Sequence, residues 1–413
     1  MVKSVLISGG GIAGPALAFW LRRAGFAPTV VELADGPRPG GQTVDLRGVS
    51  RAVAERMGLL PAIKQQQLNE RGLAYVRADG RRAAAMPVEL LDGAGPVAEI
   101  EILRGELAGI LAEATSEVEY LYGDSVVHLD QDANGVDVTF ASGLLRRFDL
   151  VIGADGVHSR VRRLAFGPHE RFVQHLGGYS SYFTVEAPED LEHWMKIYSA
   201  PRGLWVGLRP DHDPRFAKAL LSFRSPVIDY SYRDVAAQKR ILLERFGHLG
   251  WHTPRILAQL PTAEDFYFDS ISRVAVPEWS QGRIALVGDA GYCGSPLAGH
   301  GTALALVGAY VLAGELAADG DHGRAFAAYQ RTMQAYVEQR MELPPGGIKM
   351  AMPMSAFGIG YRNTMTRVMT SMPFAGLMGK LLIGKPDAIE LPDYPGLQSS
   401  ADRPLRVAAE QAE

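Results

Sequence analysis

These 413 residues predict an α/β fold, in which a mainly parallel layer is interrupted by a β-rich domain and followed by a helical C-terminal region. Three observations carry that reading. An apolar strand runs into the turn Gly9-Gly10-Gly11-Ile12-Ala13-Gly14, then a helix, then a second apolar strand. Two later apolar runs, residues 148–153 and 283–287, each end in a Gly/Asp turn followed by a helix-like stretch. Between these two runs lie aromatic and β-branched segments bounded by Pro, Gly and Asp.

Taken in order, residues 2–7 read as a strand, 15–24 as a helix and 29–32 as a strand. That order implies parallel pairing through a right-handed crossover. Residues 71–99 contribute short strands to the β-rich layer. The runs at 148–153 and 283–287 are continuous and apolar, as buried parallel strands are. Residues 179–185, 196–199, 203–208 and 219–223 have the alternation and turn residues of an antiparallel sheet. A long apolar helix spans 303–316, and a helical part begins near Phe326, broken at Leu343-Pro344-Pro345-Gly346-Gly347. The tail beyond Asp387 is rich in Pro, Ser and charge, so an extended surface course is expected. The resulting division is a discontinuous nucleotide domain (1–70, 98–175, 270–325), a β-rich domain (71–97, 176–269), a helical region (326–386) and a tail (387–413).

Composition narrows the function. A hydrophobic fraction of 47% with 21% charged residues suits a soluble protein with a substantial core. A formal charge of -4 gives no footprint for nucleic acid or an anionic membrane. The single cysteine, Cys293, excludes an internal disulfide and reads as a small buried apolar residue. No HxH, HExxH or carboxylate cluster calls for a metal. No signal peptide is recognisable, and the uncharged run 301–314 is too short to span a bilayer. A cytoplasmic protein without a transmembrane segment, monomeric or homodimeric, is expected. The methionines between Met341 and Met378 read as helix core.

The first glycine turn has the spacing of a dinucleotide-binding loop. Gly9 permits the tight turn, Gly11 lets the backbone approach a pyrophosphate, and Gly14 lets helix and strand pack closely. The helix N-terminus at Ile12 and Ala13 offers free N–H groups and its positive dipole end to phosphates. Glu32, followed by Leu33, closes the second strand where ribose hydroxyls need an acceptor. NAD and FAD share this fingerprint, so the loop alone does not choose between them.

Three further motifs do. The run Asp149-Leu150-Val151-Ile152-Gly153-Ala154-Asp155-Gly156, continuing through Ser159, Arg160 and Arg162, resembles the Asp-Gly motif of single-component aromatic hydroxylases. The run Arg283-Ile284-Ala285-Leu286-Val287-Gly288-Asp289-Ala290, with Pro296 and Gly299-His300-Gly301, resembles their second FAD motif. Arg104, Leu107 and Leu111 resemble the helix that crosses the cofactor in that family. The sequence is thereby similar to the group A flavoprotein monooxygenases with the p-hydroxybenzoate hydroxylase fold, which include tetracycline-inactivating oxygenases and polyketide hydroxylases. The family often reads Gly-Asp-Ala-Ala-His and Gly-x-Gly-x-Asn where this chain has Gly288-Asp289-Ala290-Gly291-Tyr292 and Gly299-His300-Gly301-Thr302-Ala303. Flavin binding survives those departures, while subfamily and substrate stay open.

The resemblance implies a Rossmann-like FAD-binding domain of GR2 type and a β-sheet substrate domain. Asp289 would bond a ribityl hydroxyl, Arg104 an FAD phosphate, and the Gly299–Thr302 turn would face the flavin pyrimidine. Asp155 and Gly156 would touch FAD. Arg160 and Arg162 are as compatible with the donor's phosphates as with plain surface positions. Gln42 and Arg47, in the segment from Pro39 to Arg47, would pass beside the flavin ring. The implied reaction takes electrons from NADPH or NADH, forms a flavin C4a-hydroperoxide with O2, and hydroxylates a hydrophobic or aromatic small molecule. No catalytic triad is required. Candidates for substrate contact are His300, Arg209 and Tyr182, with His193 also in the β-rich domain. A reductase or halogenase of the same fold, or a flavin-bound protein without turnover, stays open as an alternative.

Overall fold

A computed structural model describes residues 3–37, 40–88, 100–232, 234–343, 346–371 and 387–398. The chain opens with β1 (Ser4–Ser8), α1 (Ala13–Arg23) and β2 (Ala27–Glu32), with Ile7 facing Val30 in parallel register. Val5, Leu6, Ile7, Val30 and Val31 are fully buried, because a parallel strand is covered on both faces by crossover helices. A short β3 (Thr43–Asp45), α2 (Gly48–Arg56) and α3 (Leu60–Gln65) lead to the hairpin β4 (Gly72–Val76) and β5 (Arg82–Pro87). β6 (Glu101–Leu103) pairs antiparallel with β3 and runs straight into α4 (Arg104–Glu113).

After α4 come β7 (Glu119–Tyr122), a meander of β8 (Val126–Gln131), β9 (Val136–Phe140) and β10 (Leu145–Phe148), then β11 (Leu150–Gly153) and α5 (Arg160–Ala165). The β-rich layer follows as β12 (Val173–Glu186), β13 (Trp194–Ala200), β14 (Leu204–Pro210) and β15 (Phe216–Arg224). Helices α6 (Val235–Phe246) and α7 (Thr253–Gln259) precede β16 (Tyr267–Ala275). The chain then returns through β17 (Ser280–Gln281), β18 (Ile284–Leu286) and β19 (Tyr292–Cys293) to α8 (Gly301–Ala318), α9 (His322–Arg340), α10 (Gly347–Ala351) and α11 (Ala356–Thr370).

The first sheet has the order β17-β18-β11-β1-β2-β7, so both later apolar runs lie where expected, with β11 between β18 and β1. The second has the order β19-β16-β12-β15-β14-β13-β4-β5. Its one departure from the antiparallel expectation is the pair β13·β4, which is parallel. The two strands come from separate insertions about a hundred residues apart, so no hairpin fixes their relative direction. Period-two alternation gives this sheet two faces. Tyr179, Phe183, Val206, Leu221 and Phe223 face outward and pack with Leu242, Phe246 and Ile256 of α6 and α7. Leu73, Met195, Ile197 and Leu220, with Tyr75, Tyr182 and Trp205, form the inner face.

Helix α8 is longer than the sequence suggested. It runs for 18 residues with a mean hydropathy of 1.5, enough by length and composition to cross a membrane, yet 78% of it is buried. It packs against α1, α2 and α9, so its apolar character on every side is that of a core helix. The helical break falls after α9, where Gly346 and Gly347 take positive φ of 78° and 47°. Pro344 and Pro345 lie outside the described residues, as do residues 89–99 and the tail from 399. The methionines divide: Met341 and Met352 are buried, whereas Met350, Met354 and Met365 are exposed and correct the expectation of core. Met372 and Met378 are outside the described residues. Asp387 and Ala388 bond α2 and α9, and Tyr394 and Leu397 are buried, the Tyr394 hydroxyl donating to Glu315 Oε1 of α8 at 2.7 Å, so this stretch of the tail departs from the expected surface course.

Candidate active site

The glycine turn between β1 and α1 is shaped by close backbone approach. Gly9 has φ +114°, and a Cβ there would sit 2.5 Å from the Ala154 carbonyl oxygen. At Gly14 a Cβ would overlap the Gly9 carbonyl. Any side chain at either position would push apart β1, β11 and α1. Glu32, at the end of β2, reaches back to the same turn: Oε2 accepts from Gly10 N at 2.7 Å and Oε1 from Ala34 N at 2.8 Å. Leu33 next to it is exposed. Ile12 and Ala13 open α1, and no side chain caps the helix N-terminus.

Arg104 lies over this turn. A Cβ on Gly11 would come within 2.9 Å of its guanidinium, so a bare backbone and a forked cation face the same space. That pairing suits a pyrophosphate. The segment after Gly40 is laid along α4: Gly40 O accepts from Gly105 N at 2.8 Å and Gln42 O from Arg104 N at 2.9 Å. Arg47 pairs with Asp45 at 2.5 Å and stands at the N-cap of α2. A Cβ on Gly40 would be 2.9 Å from Asp265 Oδ2 and 3.3 Å from Lys218 Nζ, so this turn is also where the two layers meet. Pro39 lies outside the described residues.

The Asp-Gly turn after β11 is organised from within. Asp155 accepts from Arg160 N at 2.8 Å, Val161 N at 3.2 Å and the Ser159 hydroxyl at 2.5 Å. It therefore holds the N-terminus of α5, while Gly156 turns away at φ +76°. Arg162 is fully buried and donates to the carbonyls of Ala290 at 2.8 Å and Val157 at 2.5 Å. Burial, opposed by the Asp155 carboxylate, brings its guanidinium down to about 10. This arginine ties the Asp-Gly turn to the turn after β18 and has no access to a docking donor. Arg160 bonds the Ser125 hydroxyl.

The turn after β18 carries Gly288 at φ +63°, against Ala13 Cβ, and then Asp289. The Asp289 carboxylate is enclosed, and its Oδ1 has no hydrogen-bond partner among the described residues. Burial pushes its pKa up. A buried acceptor without a donor costs free energy unless a ligand satisfies it. That oxygen lies 3.7 Å from where a Gly301 Cβ would be, at the start of α8. Upstream of α8, Pro296 and Gly299 are exposed, Gly299 at φ +72°, and the buried Ser295 is held at φ +87°. Strain of this kind in a non-glycine residue gathers at ligand sites. Thr302 is buried in the first turn of α8. His300 stands at its N-cap; burial and the nearby Arg340 charge bring its imidazole down to about 4, so it is neutral at pH 7.

Opposite these turns stands the inner face of the second sheet. Tyr182 points into it, its hydroxyl pKa raised by burial. Arg209 is on the same face, but Glu70, at 2.6 Å, and Glu101 occupy its guanidinium. It is committed to holding the layers together. His193 is exposed at the turn before β13, at φ +61°. Tyr267, on the same face of the sheet as Tyr182, leaves 45% of its surface open, and desolvation and the Asp269 charge push its hydroxyl well above the ordinary pKa. Tyr75, Trp205, Tyr267 and Asp269 are missing from the sequence-derived candidates. The alternation Tyr267-Phe268-Asp269 was the available signal, since it sets Tyr and Asp on one face of a strand.

The site residues fit FAD. They offer a pyrophosphate cradle at Gly11 and Arg104, an acceptor at Glu32, and at Asp289 a carboxylate that the Cys293 thiol bonds but whose Oδ1 is left without a partner among the described residues. Residues 3–221 match the family model described as "FAD binding domain". A flavin-dependent monooxygenase of Legionella longbeachae is 40% identical over 81% of this chain and 86% of its own. An FAD-dependent monooxygenase of Sarocladium schorii is 33% identical over 97% of this chain and all of its own. The crystal structure of the tetracycline destructase Tet(51) superposes with a TM-score of 0.80 at 34% identity, over 95% of this chain and 100% of that one. With the nucleotide turn, the Asp-Gly turn and the Asp289 turn all in place, this chain belongs to the group A FAD-dependent monooxygenases.

Proposed function

We propose that this chain uses NADPH or NADH and O2 to hydroxylate an aromatic or polyketide-like small molecule held between the start of α8 and the inner face of the second sheet. The observation that carries this is the composition of that face, where Tyr75, Tyr182, Trp205 and Tyr267 stand among Met195, Ile197 and Leu220. A flat apolar ring buries well against such a surface, and aromatic pairs add to the gain. The tetracycline destructase resemblance points the same way, toward a polycyclic substrate. A cytoplasmic location fits a reaction that consumes reduced nicotinamide.

Bound FAD would supply electron storage and oxygen activation. The chain's contribution is to hold and enclose. Arg104 and the N-terminus of α1 would neutralise the pyrophosphate, and Glu32 would take the ribose hydroxyls. Asp289 would accept from a ribityl hydroxyl through Oδ1. The N-terminus of α8, kept bare by Gly299 and Gly301, would place positive dipole beside the flavin pyrimidine as it gains negative charge. Neutral His300 at that terminus leaves this stabilisation to the helix dipole. Gln42 and Arg47 would close the ring's other edge. The aromatic sheet face excludes water from the reacting atoms.

The test is donor oxidation by the purified holoprotein against a panel of phenols, anthracyclines and tetracyclines. Stimulation well above the uncoupled background by at least one polycyclic phenol is expected. A flat panel would remove the hydroxylase reading and leave the flavin-bound, non-turnover alternative.

A further inference from the structure

Helix α11 is held to the protein by its polar side. Its two buried residues are Arg362 and Thr366. The Arg362 guanidinium lies 3.9 Å over the Tyr75 ring and donates to the Ala351 carbonyl at 3.0 Å. The Thr366 hydroxyl donates back to the Arg362 carbonyl at 3.0 Å. The same side packs on β5 and β13, and the Ser355 hydroxyl caps the helix by accepting from Gly358 N at 3.1 Å. With the rotation of the helix fixed in this way, Phe357, Tyr361, Met365 and Val368, at i, i+4, i+8 and i+11, form one stripe facing away from the protein. All four are exposed, and Phe357, at 83%, is more open than any other large apolar side chain among the described residues. Met350 of α10 and Met354, in the turn between the helices, are exposed as well. A surface helix of a soluble protein has the opposite arrangement, and a contiguous apolar patch of this kind marks an interaction face.

Charge identifies the partner. Asp and Glu make up 46 of the 413 residues, yet none occurs between Glu342 and Asp387. Lys349 and Arg367, both exposed, are the cations at the patch on α10 and α11. Exposed Arg202 joins them from the turn between β13 and β14, its backbone N–H donating to the Met354 carbonyl at 2.8 Å. The net charge of -4 conceals this local imbalance.

We propose that α10 and α11 dock on the surface of an anionic lipid bilayer, with Phe357, Tyr361, Met365 and Val368 at the acyl boundary and Lys349, Arg202 and Arg367 at the headgroup phosphates. Apolar burial and attraction to anionic headgroups add in such a contact. At 15 residues α11 is too short to span a bilayer and lies in the plane of the interface. A second copy of the chain fits this face less well. A two-fold contact would set the three cations against their own copies, with no carboxylate from the same run to pair them. Docking of this kind requires nothing of the substrate proposed above.

The test is co-sedimentation of the full-length holoprotein with vesicles of phosphatidylcholine, with and without phosphatidylglycerol. FAD content and thermal midpoint are the checks on folding. Binding to the anionic vesicles is expected, weakening as ionic strength rises, with little binding to the neutral ones. Phe357→Asp and Arg367→Glu should each lower the partition coefficient by about ten-fold or more while FAD content stays at the wild-type level. Orientation is read from an environment-sensitive fluorophore on Val368→Cys, since the single native cysteine, Cys293, is buried. Its emission should shift to the blue when anionic vesicles are added, and the same probe on Leu145→Cys, exposed on β10, should not move. Wild-type protein left in the supernatant, equal binding to both kinds of vesicle, or a shift at 145 matching that at 368 would overturn the proposal. So would a dimer in light scattering that Phe357→Asp dissociates, without vesicle binding, which would assign the face to a second copy. A monomer whose probe at 368 is already blue-shifted without lipid would assign it to another part of this chain.

Discussion

Single residues separate binding from folding at Gly301. A Cβ there would touch nothing nearer than Asp289 Oδ1 at 3.7 Å, and alanine is the better helix former by about 1 kcal/mol. Gly301→Ala should therefore keep or slightly raise the thermal midpoint of the apoprotein while losing most of its bound FAD, measured as the flavin-to-protein absorbance ratio. Retained flavin would move the cofactor away from the start of α8. His300 gives a pH prediction with a fixed sign. Its folded pKa of about 4 lies below the ordinary 6.5 because burial, reinforced by Arg340, disfavours the charged form. Between those values the unfolded chain binds the proton and the native one does not, so stability falls as pH drops from about 6.5 toward 4 and is unaffected above that window. His300→Gln should flatten that part of the melting-temperature profile. The glycines, Arg104 and Asp289 were legible in the sequence because each belongs to a local run whose backbone demands it. The burial of Arg162 and the capture of Arg209 by Glu70 and Glu101 were not, since those partners come from distant segments.

At the level of elements, the first βαβ unit is the most constrained part of the chain. Gly14→Ala forces a Cβ into the Gly9 carbonyl, so the helix must back away from the strand. A loss of about 2 kcal/mol or more in unfolding free energy is expected, together with loss of FAD, and denaturant titration checks it. This contrasts with Gly301→Ala, in which only the ligand goes. Strand positions and the two-layer arrangement were readable from apolar runs and alternation. The parallel pairing of β13 with β4 was not, because strand direction between separate insertions is set by packing rather than by any turn. The full length of α8, Gly301–Ala318, was also missed by a pair of residues at each end of the expected 303–316, because helix ends carry weaker sequence signals than helix interiors.

Over the whole molecule, distant segments close around the flavin layer. Tyr394, near the end of the described chain, packs so tightly on α8 that a Cβ at Gly314 would overlap its ring. Its ring is tilted by 59° against that of Tyr310 with centroids 5.4 Å apart, and Tyr310 in turn lies 5.0 Å from Trp20 of α1. Truncation after Pro386 should therefore lower the thermal midpoint by several degrees, whereas a stop after Gln398 should leave it close to that of the full chain. On the function proposed above, a flavin would sit between a bare helix terminus and an aromatic sheet face, where oxygen transfer into a ring is expected. The most direct test is turnover under 18O2 with a phenol that stimulates donor oxidation, followed by mass spectrometry of the product. One labelled oxygen atom per product molecule is expected, and none when the label is in water. Donor oxidation with an unlabelled product would contradict the proposed function.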